Sequence, residues 1–165
     1  MEKVILHAGC GQTPLPAWLS GREVRLDIDP RHKPDIVASL TSLGNIGPFD
    51  GIFCSHCLEH LHPYEGAWAM REFIRVLKPG GAAMIMVPNL EHARPTEDVV
   101  YISDAGPITG LDMIYGMREY SATMPYMMHK NGFIEDTLAS MLRRAGFPNP
   151  RITKDHINLF AVAIK

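Results

Sequence analysis

This sequence of 165 residues contains few cysteines, little excess of either positive or negative charge, and no long apolar run. Its three cysteines form an odd set, unlike the disulfide frameworks of small secreted proteins, and they favour a reducing cytoplasmic location. The net charge of −2 offers no electrostatic footprint for nucleic acid. No run of about 18 apolar residues occurs, so no membrane span is expected. With 46% hydrophobic and 21% charged residues, the composition is that of a globular protein.

A short apolar strand that ends in glycines is the most informative pattern present. It reads Val-Ile-Leu-His-Ala-Gly-Cys-Gly at residues 4–11, and Leu26-Asp27 follows at the end of a second predicted strand. Glycine lets the backbone approach a ligand where a Cβ would collide. A carboxylate at the next strand tip can accept hydrogen bonds from a ribose diol. Asp29, before Pro30, is better suited to a turn. The pattern therefore predicts a nucleoside site with Asp27 at the ribose.

Strands alternate with helices along most of the chain. We predict a closing hairpin from residues 151–154 and 159–164, helices at 64–77 and 134–145, and strands at 3–6, 23–27, 35–38, 49–54 and 82–87. Residues 16–19 form at most a short helix, and the connection between the second and third strands is too short for a crossover helix. This alternation predicts one α/β domain over residues 1–165, a three-layer sandwich around a mostly parallel sheet.

Residues 90–133 interrupt this alternation. They contain many glycines, prolines, methionines and tyrosines, with little sustained periodicity. A long loop inside a compact domain is usually functional or disordered, and the apolar content here argues against disorder. We predict a lid or acceptor-binding insertion at about 90–133; a helical hairpin that only packs on the sheet or on a partner subunit is the alternative. The candidate acceptor contacts are Tyr115, Arg118, Tyr126 and His129.

Four segments together resemble class I S-adenosylmethionine-dependent methyltransferases, in particular a short group with a Leu-Glu-His signature. They are His-Ala-Gly-Cys-Gly at residues 7–11, Leu-Asp-Ile-Asp-Pro at 26–30, Phe49-Asp50 through Leu-Glu-His-Leu at 58–61, and Arg-Val-Leu-Lys-Pro-Gly-Gly at 75–81. The resemblance implies a Rossmann-like seven-stranded sheet with an antiparallel last strand. It also implies S-adenosyl-L-methionine as the cofactor, bound across the carboxyl ends of the first strands.

The same resemblance assigns cofactor contacts to residues at the ends of the first four strands: His7, Ala8, Gly9, Cys10, Gly11, Asp27, Ile28, Ser39, Leu40, Ser55 and His56. Ile28 would lie against the adenine, Ser39 and Leu40 would edge the ring, and His56 would face the methyl group. His7 and Ser39 stand where this group often has acids, and a third glycine is missing. These departures support an alternative, a degenerate methyltransferase-like binding subunit without catalysis. The missing glycine and the Leu-Glu-His signature argue against a nicotinamide oxidoreductase.

Histidines and cysteines cluster near residues 54–62, and both residue types can bind a metal ion. The one Cys-x-x-Cys pair lacks the second pair of a structural zinc site, so we predict no metal. Since imidazole titrates near neutrality, His56 and His129 are candidate acid–base groups, with a structural histidine as the alternative for each. The predicted reaction is direct methyl transfer to a small-molecule acceptor. Positioning alone can contribute roughly 7–11 kcal/mol to such a reaction.

Overall fold

A computed structural model describes residues 2–103 and 106–165; residue 1 and, within the predicted insertion, residues 104 and 105 lie outside the described part. The described strands are β1 (Val4–Ala8), β2 (Arg22–Asp27), β3 (Ile36–Val37), β4 (Phe49–Ser55), β5 (Leu77–Pro88), β6 (Val99–Ser103), β7 (Gly106–Thr109), β8 (Arg151–Lys154) and β9 (Asn158–Ile164). The α-helices are α1 (Pro63–Val76), α2 (Gly110–Tyr115) and α3 (Glu135–Ala145).

Seven strands form the main sheet, in the order β3-β2-β1-β4-β5-β9-β8. The pairs from β3 to β5 are parallel, and β9 runs antiparallel to both β5 and β8. The predicted α/β class and the antiparallel last strand are therefore confirmed. The strand order reverses between β1 and β4, which opens a crevice at the carboxyl ends of these strands.

One face of the sheet is covered by α1 and α3. Helix α1 buries Ala69, Met70, Phe73 and Val76, a spacing that places them on one side of a helix. Helix α3 adds Leu138 and Leu142 to the same core. Residues 78–81, predicted as a turn between helix and strand, instead lie inside β5. There the pairing with β4 jumps from Phe49–Leu77 to Gly51–Ala82.

The other face of the sheet is covered by irregular chain. Leu15 and Leu19 pack on Ile5, Phe53 and Met84, all of them on this face. The short helix considered for residues 16–19 is a single turn, in which the amide of Leu19 donates to the carbonyl of Pro16 at 2.9 Å. The segment that connects β1 to β2 therefore covers the sheet without forming a helix.

The segment from 90 to 133 contains regular structure of its own. Strands β6 and β7 pair as a hairpin, α2 follows, and 3-10 turns occupy Arg118–Tyr120 and Pro125–Met127. Thr109 and Asp112 form a capping box at the start of α2. The described part of the segment is therefore not the helical hairpin considered as the alternative, and its role as a lid or acceptor-binding insertion stays a prediction. The longest helix described is α1, with 14 residues, and none is both long and apolar enough to cross a bilayer.

Candidate functional site

The glycine turn at residues 9–11 lies where β1 ends and is fastened to the end of β2. The amides of Gly9 and Cys10 both donate to the carbonyl of Leu26, at 2.8 and 3.0 Å. Gly9 and Gly11 have φ of +71° and +49°, the left-handed region that favours glycine. A Cβ on Gly9 would collide with the thiol of Cys57, whereas a Cβ on Gly11 would meet nothing within 4 Å. The turn is therefore packed on one side and open on the other.

Asp27 is the last residue of β2, and its carboxylate accepts hydrogen bonds both from the glycine turn and from the segment that follows β2. Its Oδ2 accepts from the amide of Gly11 at 2.8 Å and its Oδ1 from the amide of Asp29 at 2.9 Å. Each carboxylate oxygen offers two acceptor sites, so capacity remains for two hydroxyl donors. Only 8% of the residue is exposed. This geometry suits a ribose diol held against the glycine turn.

Next to Asp27, an exposed apolar side chain and a polar cluster border the crevice. Ile28 is 63% exposed, as a side chain that covers an adenine face must be. Asp29 caps the 3-10 turn Pro30–His32, which confirms its predicted turn role. Hydrogen bonds from Arg31, and one from Tyr126, hold the pKa of Asp29 well below its usual range. The Tyr126 hydroxyl lies 2.9 Å from Asp29 Oδ2 and also contacts Arg31.

Several residues assigned to the cofactor have buried side chains. Ala8, Cys10 and Leu40 are all buried, with 0%, 2% and 8% of the residue exposed. The hydroxyl of Ser39 is 2.8 Å from that of Thr41 in a local turn. These residues shape the edge of the crevice through the chain path.

His7 points away from the crevice, contrary to the assignment made from the resemblance. It is 3% exposed and lies on the second face of the sheet, with its Nδ1 2.7 Å from Glu23 Oε1. Arg25 bonds the same carboxylate and also donates to the carbonyls of Gly11 and Thr13. His7 is therefore connected to the glycine turn through Glu23 and Arg25, on the side of the turn that faces the sheet.

The burial of His7 predicts a pH-dependent stability. Burial disfavours the imidazolium more than the hydrogen bond and charge of Glu23 favour it, so the pKa of His7 is lowered. The unfolded chain then binds the proton more readily, and the free energy of unfolding should fall as pH drops through about 6.5. Urea unfolding between about pH 5 and pH 8 measures this slope. The substitution His7→Gln should reduce it; an unchanged slope in that variant would contradict the assignment.

His56 and Glu59 lie just beyond β4, where the resemblance predicts the methionine part of the cofactor. His56 adopts φ of +51°, rare for a residue with a side chain and common at functional sites. Its Nδ1 is 3.3 Å from Oε1 of the buried Glu59. Burial works against the charge of each group, but their pairing prevails, raising the pKa of His56 and lowering that of Glu59. Ser55, the last residue of β4, is half-buried beside them.

Of the four predicted acceptor contacts, two lie near residues that follow the ends of β2 and β4. The Tyr126 hydroxyl is 2.9 Å from Asp29 Oδ2, and a ring nitrogen of His129 lies within 4.8 Å of a carboxylate oxygen of Glu59. Arg118 is held by Glu97 and Asp112, and Tyr115 is 51% exposed. A depression of about 550 Å³ between α1 and α3 is lined by Ala67, Met141 and Arg144, among others. It lies on the helical layer, away from the strand ends.

Sequence reasoning missed the roles of Cys57 and Glu59. Cys57 lies against Gly9, and its thiol is 3.4 Å from the Gly9 carbonyl. The spacing of Glu59 from the end of β4 was visible in the sequence, but its partners come from distant segments. The open side of Gly11, the remaining acceptor capacity of Asp27 and the exposed Ile28 together fit S-adenosylmethionine.

This sheet order and crevice define the class I S-adenosylmethionine-dependent methyltransferase fold. A family model described as a methyltransferase domain matches residues 3–150, so the chain belongs to that family. Its cofactor is S-adenosylmethionine, and the protein is an enzyme of the methyltransferase class. Among curated proteins, none matches the sequence.

Solved structures with the same fold include three methyltransferases, each matched over 99% of this chain. One is the Burkholderia thailandensis 1,6-didemethyltoxoflavin-N1-methyltransferase with bound 1,6-didemethyltoxoflavin and S-adenosylhomocysteine (TM-score 0.63, 19% identity, 71% of that chain). The others are S-adenosylmethionine-dependent enzymes from Mesorhizobium loti (0.67, 16%, 91%) and Archaeoglobus fulgidus (0.64, 16%, 86%). For eight of the matched structures, the chain spans from 50% to 91% of their length.

Proposed function

We propose that this chain transfers the methyl group of S-adenosylmethionine to a small-molecule acceptor held beneath residues 90–133. The observation that carries the proposal is the path of this segment, which brings the Tyr126 hydroxyl to 2.9 Å from Asp29 Oδ2, just after β2, and a ring nitrogen of His129 to within 4.8 Å of a carboxylate oxygen of Glu59, just after β4. One insertion therefore borders both halves of the site. A net charge of −2 and the 1,6-didemethyltoxoflavin bound in the Burkholderia enzyme's structure also favour a small molecule.

The chain's own residues have mainly positioning roles in this proposal. When bound, the cofactor supplies an activated methyl group on its sulfonium. Asp27 holds the ribose, the turn at Gly9–Gly11 borders the methionine part, and Ile28 covers the adenine. The insertion excludes water from the site, which favours a reaction in which positive charge at sulfur disappears.

His56 is the residue we propose to accept a proton from the acceptor, when the acceptor carries one. It is exposed at the end of β4, and its Nδ1 is oriented by Glu59. General base catalysis by a positioned imidazole typically contributes about 10²–10⁴-fold in rate. His129 is half-buried, with its Nδ1 3.1 Å from the carbonyl of Met113, and so has less freedom to reach an acceptor.

A reducing cytoplasmic setting is part of the same proposal. All three cysteines are free thiols, with Cys10 and Cys54 buried. A free thiol count of this kind is typical of proteins that mature under reducing conditions.

Calorimetric titration of the chain with S-adenosylhomocysteine is the direct test of the proposed function. We expect one binding site per chain. In a separate assay with S-adenosylmethionine labelled in its methyl group, we expect transfer of that group to members of a mixed set of phenols, N-heterocycles and carboxylic acids, with S-adenosylhomocysteine as the second product. Absence of binding heat at millimolar ligand would contradict the proposal. Binding without transfer to any acceptor would instead support the non-catalytic alternative.

A further inference from the structure

Three potential metal ligands converge beside the cofactor crevice. One ligand atom each from Glu59, His60 and His129 lies within 4.8 Å of the other two. Glu59 and His60 belong to the 3-10 turn Leu58–His60 after β4, and His129 comes from the end of the insertion. The imidazole rings of His60 and His129 are 5.1 Å apart, centroid to centroid.

Both imidazoles have a main-chain carbonyl close to Nδ1. Nδ1 of His60 lies 3.3 Å from the carbonyl of Met128, and Nδ1 of His129 lies 3.1 Å from the carbonyl of Met113. A carbonyl can only accept a hydrogen bond, so each Nδ1 must carry the proton. In a neutral ring this leaves the lone pair on Nε2. A histidine that binds a metal typically donates its other ring N–H to a carbonyl or carboxylate in this way.

The third group, Glu59, has an oxygen that its surroundings do not satisfy. The residue is 2% exposed, and Oε2 is buried with no hydrogen-bond partner among residues 2–103 and 106–165. His56 occupies the other oxygen, Oε1. Leaving a buried carboxylate oxygen unpaired costs free energy, and a cation at this point would remove that cost.

The backbone fixes the two sides of the cluster to each other. The amides of Lys130 and Asn131 both donate to the carbonyl of Glu59, at 2.8 and 3.1 Å. The amide of His129 donates to the carbonyl of Tyr115 at 2.9 Å. Main-chain hydrogen bonds therefore hold the backbone next to His129 against Glu59. The path of the backbone brings the three side chains together.

We propose that Glu59, His60 and His129 bind a divalent first-row transition metal, of which Zn²⁺ is the reference ion. Two imidazoles and one carboxylate are a ligand set that zinc enzymes use with a further position open. Ligand atoms around zinc are about 3–3.5 Å apart when the bonds are about 2.0–2.2 Å, so the side chains must close inward by a modest rotation. The imidazoles favour Zn²⁺ over Mg²⁺, which prefers oxygen ligands.

The metal would stand on the acceptor side of the crevice, because Glu59 follows β4 by four residues and borders the insertion. The open coordination position then suits an acceptor that carries an ionisable oxygen or nitrogen. This goes beyond the proposed function, and the metal site can be tested without any methyl transfer.

Calorimetric titration of the untagged, chelator-treated chain with Zn²⁺ tests the inference directly. We expect one high-affinity ion per chain, and His129→Gln and His60→Gln should each weaken binding by roughly 100-fold or more. His156→Gln, at an exposed histidine in the β8–β9 turn, is the matched control and should leave affinity unchanged. Circular dichroism of each variant separates loss of binding from loss of folding.

A second measurement covers the case in which a variant unfolds. Co²⁺ in place of Zn²⁺ should give the intense visible absorption of a low-coordinate site in the parent chain, and the exposed-histidine control His156→Gln should keep it. Absence of a stoichiometric Zn²⁺ ion in the parent would overturn the proposal. So would equal Zn²⁺ affinity in the folded His129→Gln variant and the parent, or tighter binding of Mg²⁺ than of Zn²⁺.

Discussion

Replacing Asp27 with alanine should lower the affinity for S-adenosylhomocysteine by about 100-fold or more. Hydrogen bonds to a charged group are each worth about 1.5–3 kcal/mol, so the loss of two ribose contacts corresponds to about 3–6 kcal/mol. Every 1.4 kcal/mol, roughly, changes affinity tenfold. The substitution also releases the amide of Gly11, which Asp27 Oδ2 holds at 2.8 Å. Calorimetry of the folded variant measures the effect.

Asp50→Ala is the matched control for this experiment. Asp50 also accepts a backbone amide, that of Val4 at 2.8 Å, and pairs with Lys78, but it lies near the amino end of β4. Its loss should change the free energy of unfolding and leave cofactor affinity close to that of the parent. Equal affinity in the parent and in Asp27→Ala would refute the ribose assignment.

Gly9→Ala should destabilise the fold by about 2–5 kcal/mol. A left-handed conformation costs a residue with a Cβ about 1–2 kcal/mol, and φ at Gly9 is +71°. The new methyl group would also collide with the Cys57 thiol, and overpacking of this kind costs about 1–3 kcal/mol. Urea unfolding measures the sum. The Gly9→Ala/Cys57→Ala double variant should recover most of the second part and none of the first.

Gly44→Ala isolates the conformational cost. Gly44 has a similar φ of +66°, and a Cβ there would meet nothing within 4 Å. Its loss of stability should be about 1–2 kcal/mol. If Gly9→Ala destabilised the chain no more than Gly44→Ala does, the collision expected between the new methyl group and Cys57 would be contradicted. A double-mutant cycle with Cys57→Ala gives the coupling between the two residues.

The sheet could be predicted because its strands are short apolar segments separated by glycine and proline. The antiparallel hairpin at the end followed from two such segments in close succession, and Asp27 and Asp29 were separated by their different neighbours. The position of His7 was also accessible in principle. Side chains alternate across a strand, so His7 shares a face with Ile5 rather than with the buried Leu6. The resemblance to a family, where that position often carries an acid, pointed the other way.

The cluster of Glu59, His60 and His129 could not be predicted from spacing. The first two are adjacent in sequence, but the third is distant, and its place depends on how β6, β7 and α2 fold back over the sheet. That path follows from tertiary contacts, such as the amides of Lys130 and Asn131 on the Glu59 carbonyl. Local patterns such as Cys-x-x-Cys instead drew attention to Cys54 and Cys57, which remain thiols.

The irregular cover on the second face of the sheet links cofactor affinity to folding. Residues 12–21 continue directly from the glycine turn, and one guanidinium, that of Arg25, fastens both through the carbonyls of Gly11 and Thr13. In most α/β domains a helix covers this face of the sheet, and the turn that borders the ligand is a separate element. Here, local opening of residues 12–21 would release the glycine turn. A nucleoside bound at that turn would therefore also stabilise residues 12–21 against local unfolding.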